Sequence, residues 1–258
     1  SNGHGHNHDH DHGFQETPPE IDPTIHNGKE EAGGCKFDPD EVRRTMFAPK
    51  PPIDLDNIPA ADPRVAQILA DLNAGEIRQQ LMELSGEVDT TVGGKTVRIR
   101  SRNSLTGDSG INLGIAYVEE FYRLHGIAVR RVPYKIWGRT YFNVEATIPG
   151  KKNPNKVLIL GSHLDWTAGW TRQAEDYAPG AEDDGSGTIG MMQTALALSK
   201  LPLDCTVRIV HFTGEEQGLW GSFKYSDQLA EEVEKDGIEV VGMLQHDMIG
   251  YSPNTKKR

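Results

Sequence analysis

Lys156-Val-Leu-Ile-Leu-Gly-Ser-His-Leu-Asp165 sets a continuous apolar run directly before a histidine and an aspartate. The run is short, lies between turn signals and does not alternate, which suits a central strand buried on both faces. Two later stretches have the same character: Thr206-Val-Arg-Ile-Val-His-Phe212 and Glu239-Val-Val-Gly-Met-Leu244. Helical patterns separate them, at about 186–200 and 218–229, the second with an expected break before Glu231. Strands alternating with helices imply an α/β architecture. The expected fold is a three-layer α/β/α sandwich around a mixed, largely parallel central sheet.

Upstream, Asp62 can cap a helix with Pro63 at its first position, and Val65, Ile68, Leu69 and Leu72 form its apolar face. A second helix through Ile77, Leu81 and Leu84 stops at Gly86. A short basic strand is expected at 96–100 and a longer helix at 109–125. Strands at 127–133 and 141–148 should pair around a Trp137-Gly138 turn.

Composition separates a leader from the rest. Of a net charge of −11, residues 1–60 carry −7, together with eight of the fifteen prolines. Six of the ten histidines fall in the first 26 residues, alternating with Asp, Gly and Asn. We expect 1–60 to be a disordered His/Asp/Pro-rich leader and 61–258 to be the catalytic domain. The His-Asp alternation can chelate metal loosely; a solvated tail is the plainer reading. The acidic balance argues against nucleic acid as a partner. No apolar run approaches the ~18–20 residues that cross a bilayer, so no membrane partner is expected. Cys35 and Cys205 are too few for a disulfide scaffold.

The polar clusters fall where the apolar runs stop. His163 and Asp165 follow the first, Glu215 and Glu216 the second, and Asp247 the third. Asp183 and Asp184 open the helix after the first run, within Gly180-Ala-Glu-Asp-Asp-Gly-Ser-Gly187. Ligand sites in open α/β sheets lie at the carboxyl ends of strands. Each piece alone has an ordinary structural explanation: a strand-end turn, acidic charge at a helix start, a cap. Together they gather one histidine and several carboxylates in a small volume, where like charges would repel without a cation. Histidine plus carboxylates suits zinc, with other first-row metals open.

These blocks resemble the zinc-dependent exopeptidases that include the bacterial leucyl aminopeptidases and glutamate carboxypeptidases. The matching stretches are Gly161-Ser-His-Leu-Asp165, Ala178-Pro-Gly-Ala-Glu-Asp-Asp-Gly-Ser-Gly187, Gly214-Glu-Glu-Gln-Gly-Leu-Trp-Gly-Ser222 and Gln245-His-Asp-Met-Ile-Gly-Tyr251, with a lead-in at Asn143-Val144 and Pro149-Gly150. The resemblance implies two zinc ions per complete site. His163 and Asp247 would ligate the first, Asp183 would bridge both, and Glu216 would ligate the second. Glu215 would be the general base acting on a water between the metals. Asp165 would orient His163, Asp184 would follow a cis Asp183-Asp184 bond, and Met248 would border the substrate side-chain pocket. The implied substrate is a peptide cut at its N-terminus; a carboxypeptidase or a non-catalytic relative is the alternative. The paired aspartates argue against the family's single-zinc glutaminyl cyclases.

The family takes one more histidine, for the second zinc, from well beyond the Asp247 motif. Eleven residues follow Asp247 and none is histidine. The expectation is therefore a catalytic domain incomplete at its C-terminus, with one zinc site lacking a ligand, weak or no peptidase activity, and exposed apolar edges where later strands should pair. Secretion or a periplasmic location is implied by the resemblance alone. Oligomeric state is not legible.

Overall fold

The computed structural model describes residues 62–106, 110–168 and 177–251. The expected leader lies outside them. Asp62 caps α1 (Pro63–Ala70), its carboxylate accepting the Arg64 amide at 2.8 Å. Asn73 caps α2 (Ala74–Leu84), and Gly86 ends it in the left-handed region at φ 70°. The basic strand is shorter than expected. It is β2 (Lys95–Val97), hairpinned to β1 (Thr90–Val92) across Gly93-Gly94. α3 (Ile111–Leu124) buries Ile115, Val118 and Tyr122 and stops before Gly126.

The main sheet has five strands in the order β3-β4-β6-β5-β7. β3 (Ala128–Ile136) and β4 (Arg139–Ile148) form the expected hairpin, with Trp137 and Gly138 both at positive φ. β5 (Asn153–His163) lies between β6 (Cys205–Phe212) and β7 (Glu239–Gln245), parallel to both. β4 runs antiparallel to β6 and β3. Four of the five strands therefore point one way, which gives the mixed, largely parallel sheet.

Period-two alternation sorts side chains to the two faces. Leu160, Val207 and Ile209 join one core with α3 and α4 (Gly187–Ser199). Val157, Ile159, Val210 and Phe212 pack on the other face against Tyr225 of α5 (Trp220–Asp236). α5 runs unbroken through Glu231. β7 departs from the expectation of a third buried strand and matches that of an exposed apolar edge: among the described residues it pairs only with β5, and Val241, Met243 and Leu244 are 48–60% exposed. Apolar composition marks a strand but does not say whether neighbours cover it. Among the described residues no helix is long and apolar enough to cross a membrane.

Candidate metal and hydrolytic site

Because β5, β6 and β7 are parallel and adjacent, their carboxyl ends share one rim. β5 ends on His163 itself, level with Phe212 of β6. Thr213-Gly214 then lead from β6 to Glu215 and Glu216, and His246 leads from β7 to Asp247. The fourth contributor is the kinked turn Ala181–Ser186, non-helical at Asp183 and Asp184 and entered through Gly180 at φ 43°. A Cβ on Gly180 would come within 2.3 Å of the Asp183 carbonyl, so the turn closes only over glycine.

His163 is the centre of the arrangement and is 1% exposed. Its Nε2 lies 2.9 Å from Asp183 Oδ1 and 3.8 Å from Asp247 Oδ1. One ligand atom each from His163, Asp184 and Asp247 also lies within 4.8 Å of the others. The two neighbouring aspartates, joined by a cis peptide bond, differ in what holds them. Asp184 is fully buried and accepts three amides, from His163 (3.1 Å), Gly187 (2.9 Å) and Met248 (3.2 Å). Asp183 is partly exposed and faces the imidazole. Met248 sits beside Asp247, half exposed and at φ 51°.

Asp165 does more than the sequence shows. Its backbone carbonyl accepts His163 Nδ1 at 3.1 Å, which fixes the ring and leaves Nε2 facing the carboxylates. Its carboxylate accepts the Glu215 amide at 3.2 Å and the Glu216 amide at 3.4 Å, and its Oδ1 lies 3.7 Å from His163 Nδ1. One buried residue thus ties the β5 end to the β6 end. The Glu215-Glu216 turn is further held by Ser104 Oγ, which accepts the Gly214 amide, and by Asn143, whose Oδ1 accepts the Thr213 amide and whose Nδ2 donates to the Gly221 carbonyl.

The electrostatics are those of a site short of positive charge. Burial opposes protonation of His163, but Asp165, Asp184 and Glu215 outweigh it and push its pKa up to about 10. Burial, then repulsion from Asp183, Asp165 and Glu215, pushes Glu216 up to about 7. Burial pushes Asp184 up to about 7 and raises Glu215 as well. Glu216 Oε1 is buried with no hydrogen-bond partner. An imidazole nitrogen among carboxylates, with an orphaned carboxylate oxygen on the adjoining strand-end turn, fits a divalent metal, and the mixed N/O donor set suits zinc.

Arg102 escaped sequence reasoning altogether. It is fully buried, and its guanidinium donates only to backbone carbonyls: Leu164 (2.7 Å), Leu84 (2.9 Å), Gly180 (2.6 Å) and Pro179. Burial lowers its pKa to about 10, with Asp165, Asp184 and Asp183 opposing, so it stays charged at neutral pH. It joins the residue between His163 and Asp165 to the entrance of the 181–186 turn. Nothing in Ser101-Arg-Asn-Ser104 signals this, because the four carbonyls are distant in sequence.

The sequence model of peptidase family M28 matches residues 143–257. Leucine aminopeptidase 1 of Uncinocarpus reesii is 30% identical over 205 residues, covering 74% of this chain and 46% of that protein. A probable zinc metalloprotease of Pyrenophora teres f. teres is 36% identical over 122 residues, covering 47% of this chain and 24% of that protein. The chain thus spans less than half the length of these relatives. The crystal structure of Legionella pneumophila LapA aminopeptidase superposes with a TM-score of 0.55 at 22% identity, covering 73% of this chain and 46% of that one. That likeness is one of fold.

Proposed function

We propose that the chain, whose residues 143–257 match the sequence model of peptidase family M28, carries the metal-and-base rim of a zinc-dependent aminopeptidase. One observation carries the reading: His163 Nε2 faces Asp183 and Asp247 at 2.9 and 3.8 Å. His163, Asp183 and Asp247 would hold one zinc, and Asp183 and Glu216 would hold a second. Asp183 is preferred to Asp184 as ligand because the Asp184 oxygens already serve three amides. When bound, zinc supplies Lewis acidity, polarising the scissile carbonyl and making water a competent nucleophile near neutral pH.

The remaining work falls to the side chains. Glu215 accepts the proton of the attacking water and returns it to the departing amine; its position beside Glu216 on the same turn puts it at the metal rim. Asp165 holds that turn through both amides and holds the His163 ring through its carbonyl. The substrate's free α-amine would sit near Asp183, Asp247 and Glu216 and the ions they would hold. Met248, half exposed at the rim, borders the pocket for the N-terminal side chain.

The test uses aminoacyl-anilides and short peptides. Glu215→Gln should retain zinc and lose ~10²–10⁴-fold in kcat/KM, the usual contribution of a positioned base. Unchanged hydrolysis sinks the assignment of Glu215. Acetylating the substrate's α-amine should abolish turnover, and amidating its carboxyl should not. The opposite pattern identifies a carboxypeptidase.

A further inference from the structure

Glu182 lies next to the metal-facing Asp183 yet points away from it. Its Oε1 accepts two successive amides on the loop after β7, Gly250 at 3.1 Å and Tyr251 at 2.7 Å. The two preceding amides of that loop are held from the same turn: Ile249 donates to Ser186 Oγ at 3.0 Å and Met248 to Asp184 Oδ1 at 3.2 Å. Ser186 Oγ in turn donates to the Glu182 carbonyl at 2.8 Å. Four consecutive backbone N–H groups, 248 to 251, are therefore gripped by three side chains of one six-residue turn.

The loop needs such a grip. Asp247 is half exposed and lies beyond the end of β7, so no strand ladder fixes it. Met248 occupies the left-handed region at φ 51°, which a non-glycine residue adopts at a cost. Gly250 makes close approach possible: a Cβ there would sit 2.5 Å from Glu182 Oε2 and 3.3 Å from Ser186 Cβ. A carboxylate bridging two successive amides forms charge-assisted bonds, stronger than neutral ones.

We propose that Glu182 is a positioning residue that clamps the 248–251 backbone and so holds the Asp247 carboxylate where His163 and Asp183 can share a metal with it. The inference rests on the reading that these three residues bind a divalent ion. Glu182 is the informative handle because Asp184 also holds the His163 amide, whereas Glu182 grips the loop alone. The clamp spans the two segments that carry Asp183 and Asp247, so it sets their separation. Gly250 is its counterpart on the loop side.

The experiment titrates the full chain with Zn2+ by calorimetry and with Co2+ by visible absorption. A His163→Ala chain serves as the baseline for adventitious binding by the leader histidines. Glu182→Ala should weaken the tight site by ~10–100-fold, the usual cost of losing a group that orients a ligand, and should alter the Co2+ spectrum. Glu182→Gln, whose Oε1 still accepts both amides, should recover most of the affinity. Gly250→Ala should weaken binding in the parent and add little in the Glu182→Ala background, since both act on one contact. Glu182→Ala with parental zinc affinity and an unchanged Co2+ spectrum overturns the proposal, as does a loss of thermal stability with no change in metal binding. A parent chain whose binding equals the His163→Ala baseline overturns the metal reading itself, and the clamp with it.

Discussion

His211 illustrates how one residue type takes two roles within a single sheet. It lies on β6, fully buried, between Tyr122 Oη at 2.7 Å and Ser162 Oγ at 2.8 Å. Ser162 approaches Thr188, which donates to the His163 carbonyl at 2.9 Å. Neither of the side chains hydrogen-bonded to the His211 ring is a carboxylate, and burial pushes its pKa down to about 3, whereas His163, ringed by carboxylates, is pushed up to about 10. The folded value of His211 lies below its unfolded value near ~6.5, so its contribution to stability is complete above ~6.5 and is lost as the pH falls toward 3. Urea midpoints should therefore fall between neutral pH and about pH 4. His211→Gln should be less stable at neutral pH but show a shallower acid slope. A slope unchanged by the substitution contradicts the assignment. In the sequence one of the two histidines lies inside an apolar run and the other at the end of one, two residues before an aspartate. The sequence could not show that the Asp165 carboxylate holds the Glu215 and Glu216 amides as well as lying near the imidazole, because that depends on how the two strand ends meet.

At the scale of elements, the site is set by the junctions where each strand hands over to its next turn or helix. The start of α5 is pressed against the end of β6. A Cβ on Gly221 would meet the Thr213 carbonyl at 2.3 Å and Asn143 Oδ1 at 2.2 Å, and the Thr213 backbone cannot step aside. Gly221→Ala should lower the free energy of unfolding by ~1–3 kcal/mol, as overpacking does. It should also disturb the Glu215-Glu216 turn, reducing hydrolysis more than Gly242→Ala, where a Cβ would make only an ordinary contact with Leu158 Cδ1 at 3.8 Å. Equal losses from the two glycines contradict this account of the junction. Element identity and order were legible because apolar runs, caps and Gly stops are local signals. The β1–β2 hairpin was half-read, since Thr90–Val92 and Lys95–Val97 are too short to show a period. An exposed apolar edge was expected, but that β7 would be that edge was not legible, because burial depends on strand order, which is a long-range property.

Over the whole described structure, a sheet with four strands in one direction brings His163, Asp183, Glu216 and Asp247 to one rim from across some 85 residues of sequence. That His163, Glu216 and Asp247 share a rim was legible because each follows an apolar run, and parallel strands put such residues together. The supports were not legible. Arg102 binds carbonyls contributed by three separate segments, and Glu182 binds amides 68 and 69 residues away. Such contacts leave no pattern in spacing or composition, because a backbone amide or carbonyl looks the same at every position. The positive charge the rim lacks is what unites these observations: a histidine driven to hold a proton, carboxylates driven toward neutrality, and one oxygen without a partner. Anomalous diffraction at the zinc edge from crystals of the full chain grown with zinc tests this most directly. The account predicts a peak in bonding contact with His163 Nε2, Asp183 and Asp247, and its loss in Asp183→Asn. A map whose zinc peaks lie elsewhere, with none at His163, would contradict it.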